Sequence, residues 1–152
     1  MPQAAYLPNI DILLRGMRIS RERLNSRSKI AVDAKLLRAL IEALVHQVPF
    51  DETFYLATYP DLAQARLDGT ISDARAHFVE TGFFEGRSGA PIEVDAGFYI
   101  REYPDVAHAM REGSVASAAE HYAKTGASEG RLPNLAAKKE IEAWMRLLRE
   151  PA

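Results

Sequence analysis

The chain has 152 residues, 47% of them hydrophobic and 26% charged, with a formal charge of −2, enough to bury a core and ordinary for a globular protein. It has no cysteine, which excludes a disulfide framework, a thiolate nucleophile and any cysteine-based metal site. No apolar run approaches the roughly 18 residues of a membrane span. The opening MPQAAYLPNIDILLRG has no basic segment before a long apolar core and no small-residue cleavage site, so the expectation is a cytoplasmic protein.

The small net charge hides an asymmetry. Residues 1–48 hold eight Lys or Arg against four Asp or Glu, residues 49–134 seven against fourteen, and residues 135–152 four against three. A basic arm precedes an acidic region. Mutual neutralisation, within one molecule or across a dimer, is the expected use of that asymmetry.

In chain order, residues 1–8 carry two prolines and no periodicity and read as a flexible lead. Asn9 or Asp11 suits a helix cap, and Ile10, Leu13, Leu14, Met17 and Leu24 fall on one face, predicting a helix over about residues 10–26. Asp33 opens a second helix carrying Leu36, Leu37, Leu40, Ile41, Leu44 and Val45, which Pro49 stops. Residues 1–48 are therefore expected to form a helical hairpin.

From Asp51 to Arg87 runs a segment written again, without a gap, from Asp95 to Arg131, at a constant offset of 44 residues. Asp51 and Asp95 are placed to cap short helices presenting Phe54, Tyr55, Phe98 and Tyr99. Tyr59-Pro60 and Tyr103-Pro104 read as a break followed at once by a new helix, with Asp61 and Asp105 in its first turn and Gly69 and Gly113 at its end. Ser72 in the first copy, and Ser114 or Ser117 in the second, are expected to open a third helix that carries His77 or His121 and closes at Gly82 or Gly126. Gly86 and Gly130, inside Glu85-Gly86-Arg87 and Glu129-Gly130-Arg131, need a positive φ. After Pro133 a last helix, capped by Asn134, presents Leu135, Ile141, Trp144, Met145 and Leu148 on its apolar face. A period near 44 residues with about three helices per period predicts an all-α fold of stacked repeats between capping helices. Its parts are a basic arm (1–48), repeat 1 (49–91), repeat 2 (92–134) and a C-terminal capping helix (135–152), with 49–152 forming one compact unit.

The duplicated pattern resembles a short repeat of bacterial proteins, roughly F-D-x-x-x-Y-L-x-x-x-P-D-V-A-x-A followed by H-Y-x-x-x-G-x-x-E-G-R-x-P. The matching residues are Phe50-Asp51, Tyr55-Leu56, Pro60-Asp61-Leu62-Ala63, His77-Phe78, Gly82 and Glu85-Gly86-Arg87. They recur as Val94-Asp95, Tyr99-Ile100, Pro104-Asp105-Val106-Ala107, His121-Tyr122, Gly126, Glu129-Gly130-Arg131 and Pro133. In that family the repeat sits beside glycosyltransferase domains or in envelope-associated proteins. The resemblance covers a little over half of the chain. It implies an association with polysaccharide or envelope machinery and no catalytic chemistry.

His77 and His121 are the first residues to weigh as bases or metal ligands. Because they recur with the repeat, a hydrogen-bonded packing role is expected of them, and no metal or cofactor. Asp61 with Arg87, and Asp105 with Arg131, are expected to form salt bridges, with Glu85 and Glu129 beside them. The glycines occur singly, outside any phosphate-cradling pattern. Arg15, Arg18, Arg21, Arg23 and Arg27 make the best case for nucleic acid, but they scatter around the helical wheel without interleaved aromatics, which disfavours it. Where repeat 1 has Phe83-Phe84, repeat 2 has Ala127-Ser128. Either a terminal helix covers the phenylalanines or they are exposed and mark a partner surface. The expectation is a non-enzymatic adaptor that binds another protein through Phe83, Phe84, Tyr55 and Tyr99, with the arm as a second contact or an oligomerisation element. The alternatives are glycan binding by the repeat aromatics Tyr55, Tyr59, Tyr99 and Tyr103, and nucleic-acid binding by the arm.

Overall fold

A computed structural model of the chain describes residues 7–149. Most of the expected lead and Pro151 lie outside those residues. The fold is all-α. It divides between the repeats into one compact unit that ends at Pro91 and a second that begins at Ile92, so residues 49–152 are two units where one was expected.

In the first unit, α1 (Ile10–Met17) is capped by the Asn9 side chain, which accepts from the Asp11 N–H. It ends far short of residue 26. Arg18 takes the left-handed conformation (φ 55°), and the Ile19 N–H reaches back to the Leu14 carbonyl, the closure that a glycine more often supplies. A separate turn, α2 (Arg21–Leu24), follows with Ser20 as its cap. The long helix α3 (Ala34–Val45) starts where Asp33 accepts from the Lys35 and Leu36 N–H groups, as its spacing predicts.

Repeat 1 consists of α4 (Glu52–Thr58), α5 (Pro60–Leu67) and α6 (Ala74–His77), the last running on into a π-helical turn, Phe78–Gly82. Asp51 caps α4 and Pro60 is the first residue of α5. The cap of α6 is Asp73, one residue later than the Ser72 expected. Val45 of α3 joins Tyr55, Leu62, Ala74, Phe78 and Val79 in the core, with Ile41 and Phe50 packed against it. One helix of the arm is thus part of the repeat 1 core.

The second unit repeats the pattern in α7 (Ala96–Glu102), α8 (Pro104–Arg111) and α9 (Ala118–His121), with a π-helical turn at Tyr122–Gly126. Ser117 caps α9, at the position equivalent to Asp73. The core is smaller: Tyr99, Val106, Ala118 and Tyr122. The last helix, α10, spans Lys138–Arg149. It begins later than expected because Asn134 caps a preceding turn, accepting from the Ala137 N–H. Its capping role is slight: Met145 lies against Gly130, but Trp144, Leu147 and Leu148 are exposed. Trp144, expected on the apolar face of this helix, is 60% exposed.

Candidate functional site

The recurring residues converge, in each unit, on one buried tyrosine. Tyr55 and Tyr99 have no exposed surface, and their hydroxyls lie 3.1 and 3.0 Å from His77 Nδ1 and His121 Nδ1. Burial pushes each phenol up to about 12, so both stay neutral at physiological pH. Each histidine supplies the hydrogen-bond partner that a buried hydroxyl requires.

The chain makes room for these hydroxyls by omitting a side chain. A Cβ at Gly82 would sit 2.1 Å from the Tyr55 hydroxyl oxygen, and one at Gly126 2.2 Å from that of Tyr99. Gly82 and Gly126 are the last residues of the helical segments, as expected, and the backbone stays right-handed through the caps Phe83 and Ala127, whose N–H groups bond to the Phe78 and Tyr122 carbonyls five residues back. The positive φ falls at Gly86 (78°) and Gly130 (70°), as expected of Glu-Gly-Arg.

An arginine closes each repeat. Arg87 donates to both Asp61 carboxylate oxygens at 3.1 and 2.9 Å and to Glu85 at 2.8 Å. Arg131 donates to Asp105 at 3.0 and 2.8 Å and to Glu129 at 2.5 Å. These hydrogen bonds hold the Asp61 and Asp105 carboxyls below the ordinary carboxylate range and raise the two guanidinium groups. Each guanidinium also covers a tyrosine ring, Tyr59 at 4.9 Å and Tyr103 at 4.8 Å. The hydroxyls of those tyrosines accept from the Ser88 and Leu132 N–H groups at 2.8 and 2.7 Å. The salt bridges expected from recurrence are present; the roles of Tyr59 and Tyr103 were missed, although their constant spacing from each arginine was in view.

This geometry corrects two expectations. Tyr55 and Tyr99 cannot be contact residues, because they lie inside their units. Glycan binding by the four tyrosines loses those two to burial, while Tyr59 and Tyr103 have their hydroxyls bonded and a ring face occupied. Among the described residues no group of three or more His, Asp or Glu side chains is placed to hold a metal ion, and no buried side-chain polar atom lacks a hydrogen-bond partner. None of the described helices is long and apolar enough to cross a membrane.

Phe83 and Phe84 remain 41% and 37% exposed. Phe83 meets Phe78 edge-on at 6.3 Å and Phe84 at 5.7 Å. The Arg38 guanidinium of α3 lies 3.8 Å from the centre of the Phe84 ring and donates to the Glu80 carbonyl. A helix does reach this pair, but it is α3, not a terminal helix, and it leaves a half-open aromatic edge. In the arm, Arg15, Arg18, Arg21, Arg23 and Arg27 are all exposed, with Arg21 paired to Asp11 at 2.5 Å. Comparison with protein-family models, curated proteins and solved structures finds no match to this chain.

Proposed function

We propose that the chain is a non-enzymatic adaptor whose two repeats are scaffolds and whose Phe83–Phe84 edge contacts another protein. The observation that carries this reading is the division of labour between conserved-in-copy and differing positions. The tyrosine–histidine and arginine–carboxylate sets are the same in both repeats and are spent on internal bonds, whereas the aromatic edge exists in one repeat only. A partly exposed aromatic pair rimmed by an arginine has the composition of an interface anchor.

A bacterial polysaccharide or envelope pathway is the setting that the motif resemblance supports, and a cytoplasmic one is what the absence of cysteine fits. The test is a pull-down from bacterial lysate with the wild type and with Phe83→Ser/Phe84→Ser. A protein captured by the wild type and lost by a variant of unchanged circular dichroism is the expected result. Equal capture by both would remove the aromatic edge from the proposal.

A further inference from the structure

The Glu-Gly-Arg turn is closed alike in both repeats, yet only one of the two is covered. The Gly86 N–H donates to the Phe83 carbonyl at 3.0 Å and the Gly130 N–H to the Ala127 carbonyl at 3.1 Å, and both glycines are left-handed. Over Gly130 lies Met145 of α10, so close that a Cβ there would stand 2.7 Å from its Sδ and Cε atoms. At Gly86 nothing but the chain neighbours lies within 4 Å of that point. Gly130 is accordingly half-buried and Gly86 exposed. We infer that the turn at Gly86, with Phe83 and Phe84 on it, is the seat of a basic amphipathic helix presented by the partner protein, placed there as α10 is placed on Gly130. This rests on the adaptor reading and names the form its partner takes.

The second repeat supplies the template. Both turns are tied by their arginine to an aspartate of the preceding helix, Arg87 to Asp61 and Arg131 to Asp105, so the same backbone surface is offered twice. A glycine lets a helix approach closely, and a long unbranched methionine fills the gap. At 100° per residue, Ile141, Trp144, Met145 and Leu148 share an arc of about 100°. Trp144 and Leu148 are nevertheless 60% and 72% exposed, and the turn residues on that repeat are only Ala127 and Ser128. In repeat 1 the same two positions hold Phe83 and Phe84. The first repeat has side chains that can grip a helix and no helix there; the second has the helix and lacks the grip. An apolar helix face laid on such an aromatic seat is a recurrent mode of recognition.

Charge narrows the occupant. Residues 49–91 hold three basic side chains against seven acidic ones, whereas α10 carries four basic against two acidic. Glu80, whose carbonyl accepts from the same Arg38 that covers Phe84, is exposed. A helix that lands here meets an acidic rim, so lysine or arginine beside its apolar ridge is favoured.

Transplanting the grip tests this within the full chain. Ala127→Phe/Ser128→Phe builds the aromatic pair beside a turn that already has a helix tethered over it, and Trp144, the single tryptophan, reports the result. Its emission should move to shorter wavelength and the α10 amides should exchange about tenfold more slowly. Both replaced residues are exposed, and Ala127→Phe alone should give part of the same slowing should the double variant not fold. In trans, a fluorescein-labelled peptide of residues 134–152 should show saturable anisotropy with the wild type and bind Phe83→Ser/Phe84→Ser about tenfold more weakly, a difference of roughly 1.4 kcal/mol. Unchanged Trp144 emission and α10 exchange in a folded variant, or a peptide that binds both chains equally or neither, would overturn the inference. So would self-association of the wild type that Phe83→Ser/Phe84→Ser abolishes, which would put a second copy on the seat. A partner captured through Phe83 and Phe84 while these tests fail would leave the adaptor reading standing and remove only the helix.

Discussion

Repeat 1 and repeat 2 close with the same bonds at nearly the same lengths, yet only repeat 1 has a helix of the arm in its core. The difference traces to one face of the π-helical turn. Repeat 1 presents Val79, Phe83 and Phe84 there, with Val79 buried, whereas repeat 2 has Ala123, Ala127 and Ser128 at the equivalent positions, all exposed. Apolar side chains on the first turn receive Val45 and Ile41 of α3; small side chains on the second leave that face to solvent. The duplication has preserved what closes each repeat and let the surface outside the closure diverge.

The severest way to break the equivalence of the closures is to remove the central ring. Tyr55→Ala and Tyr99→Ala should each cost about 3–5 kcal/mol, the usual range for truncating a large buried side chain, measured as the urea midpoint of the unit concerned. Near-equal losses are expected. A much smaller loss for Tyr99 would mean that the second closure is not a structural equal of the first. Gly82→Ala and Gly126→Ala add a methyl group where the hydroxyl oxygen stands at 2.1 and 2.2 Å. Overpacking of that kind costs roughly 1–3 kcal/mol, and an unchanged midpoint for either would show that the tyrosine is free to move.

A further change breaks the comparison on one side only. Val45→Ala opens a cavity between α3 and repeat 1, at about 1–2 kcal/mol on the scale of core truncations. Amide exchange should quicken in α3 and around Val79 while α7, α8 and α9 keep their protection. Equal loosening of both units would refute the assignment of α3 to the first core.

Much of this arrangement was legible because it is written twice. The caps Asp51 and Asp95, the helix starts at Pro60 and Pro104, and the Asp61–Arg87 and Asp105–Arg131 pairs follow from recurrence and from local backbone chemistry. What depended on three dimensions was harder to read. Gly82 and Gly126 read correctly as helix ends, but the reason for a glycine there, the close approach of the Tyr55 and Tyr99 hydroxyls, was hidden because a glycine needed for close approach and one needed for positive φ are the same letter. Tyr55 and Tyr99 looked like contact residues because an aromatic side chain with a polar tip suits a surface or a core, and only the distant His77 and His121 decide between them. Arg18 closes α1 in a conformation its residue type seldom adopts, so no local signal marked that boundary.

A gentler probe asks whether the histidine bond matters equally in the two copies. Tyr55→Phe and Tyr99→Phe keep the ring and delete the oxygen, and each should cost about 1 kcal/mol, the net worth of one hydrogen bond. The measurement is again the urea midpoint. A cost in one copy alone would show that the 3.1 and 3.0 Å contacts, alike in length, differ in strength.

The mildest effect expected is the acid dependence of the arginine closures. Hydrogen bonds from Arg87 and Arg131 hold the Asp61 and Asp105 carboxyls below their ordinary 3.8. A depressed folded-state value means that the unfolded chain takes up the proton first as pH falls. The stabilisation is therefore complete above the ordinary value and is lost as pH drops through the folded one. Both carboxylates are exposed, so solvent and salt screen the contribution to a small one. Asp61→Asn and Asp105→Asn should lower the urea midpoint slightly at pH 6, with the gap to wild type closing as pH falls from the ordinary carboxylate value through the lower folded one and the native carboxyls protonate. The two variants should behave alike, because the two bidentate pairs share their geometry. A gap that stays constant from pH 6 to pH 2 would mean that the aspartates act through helix capping or packing and not through the charge they present to the arginine.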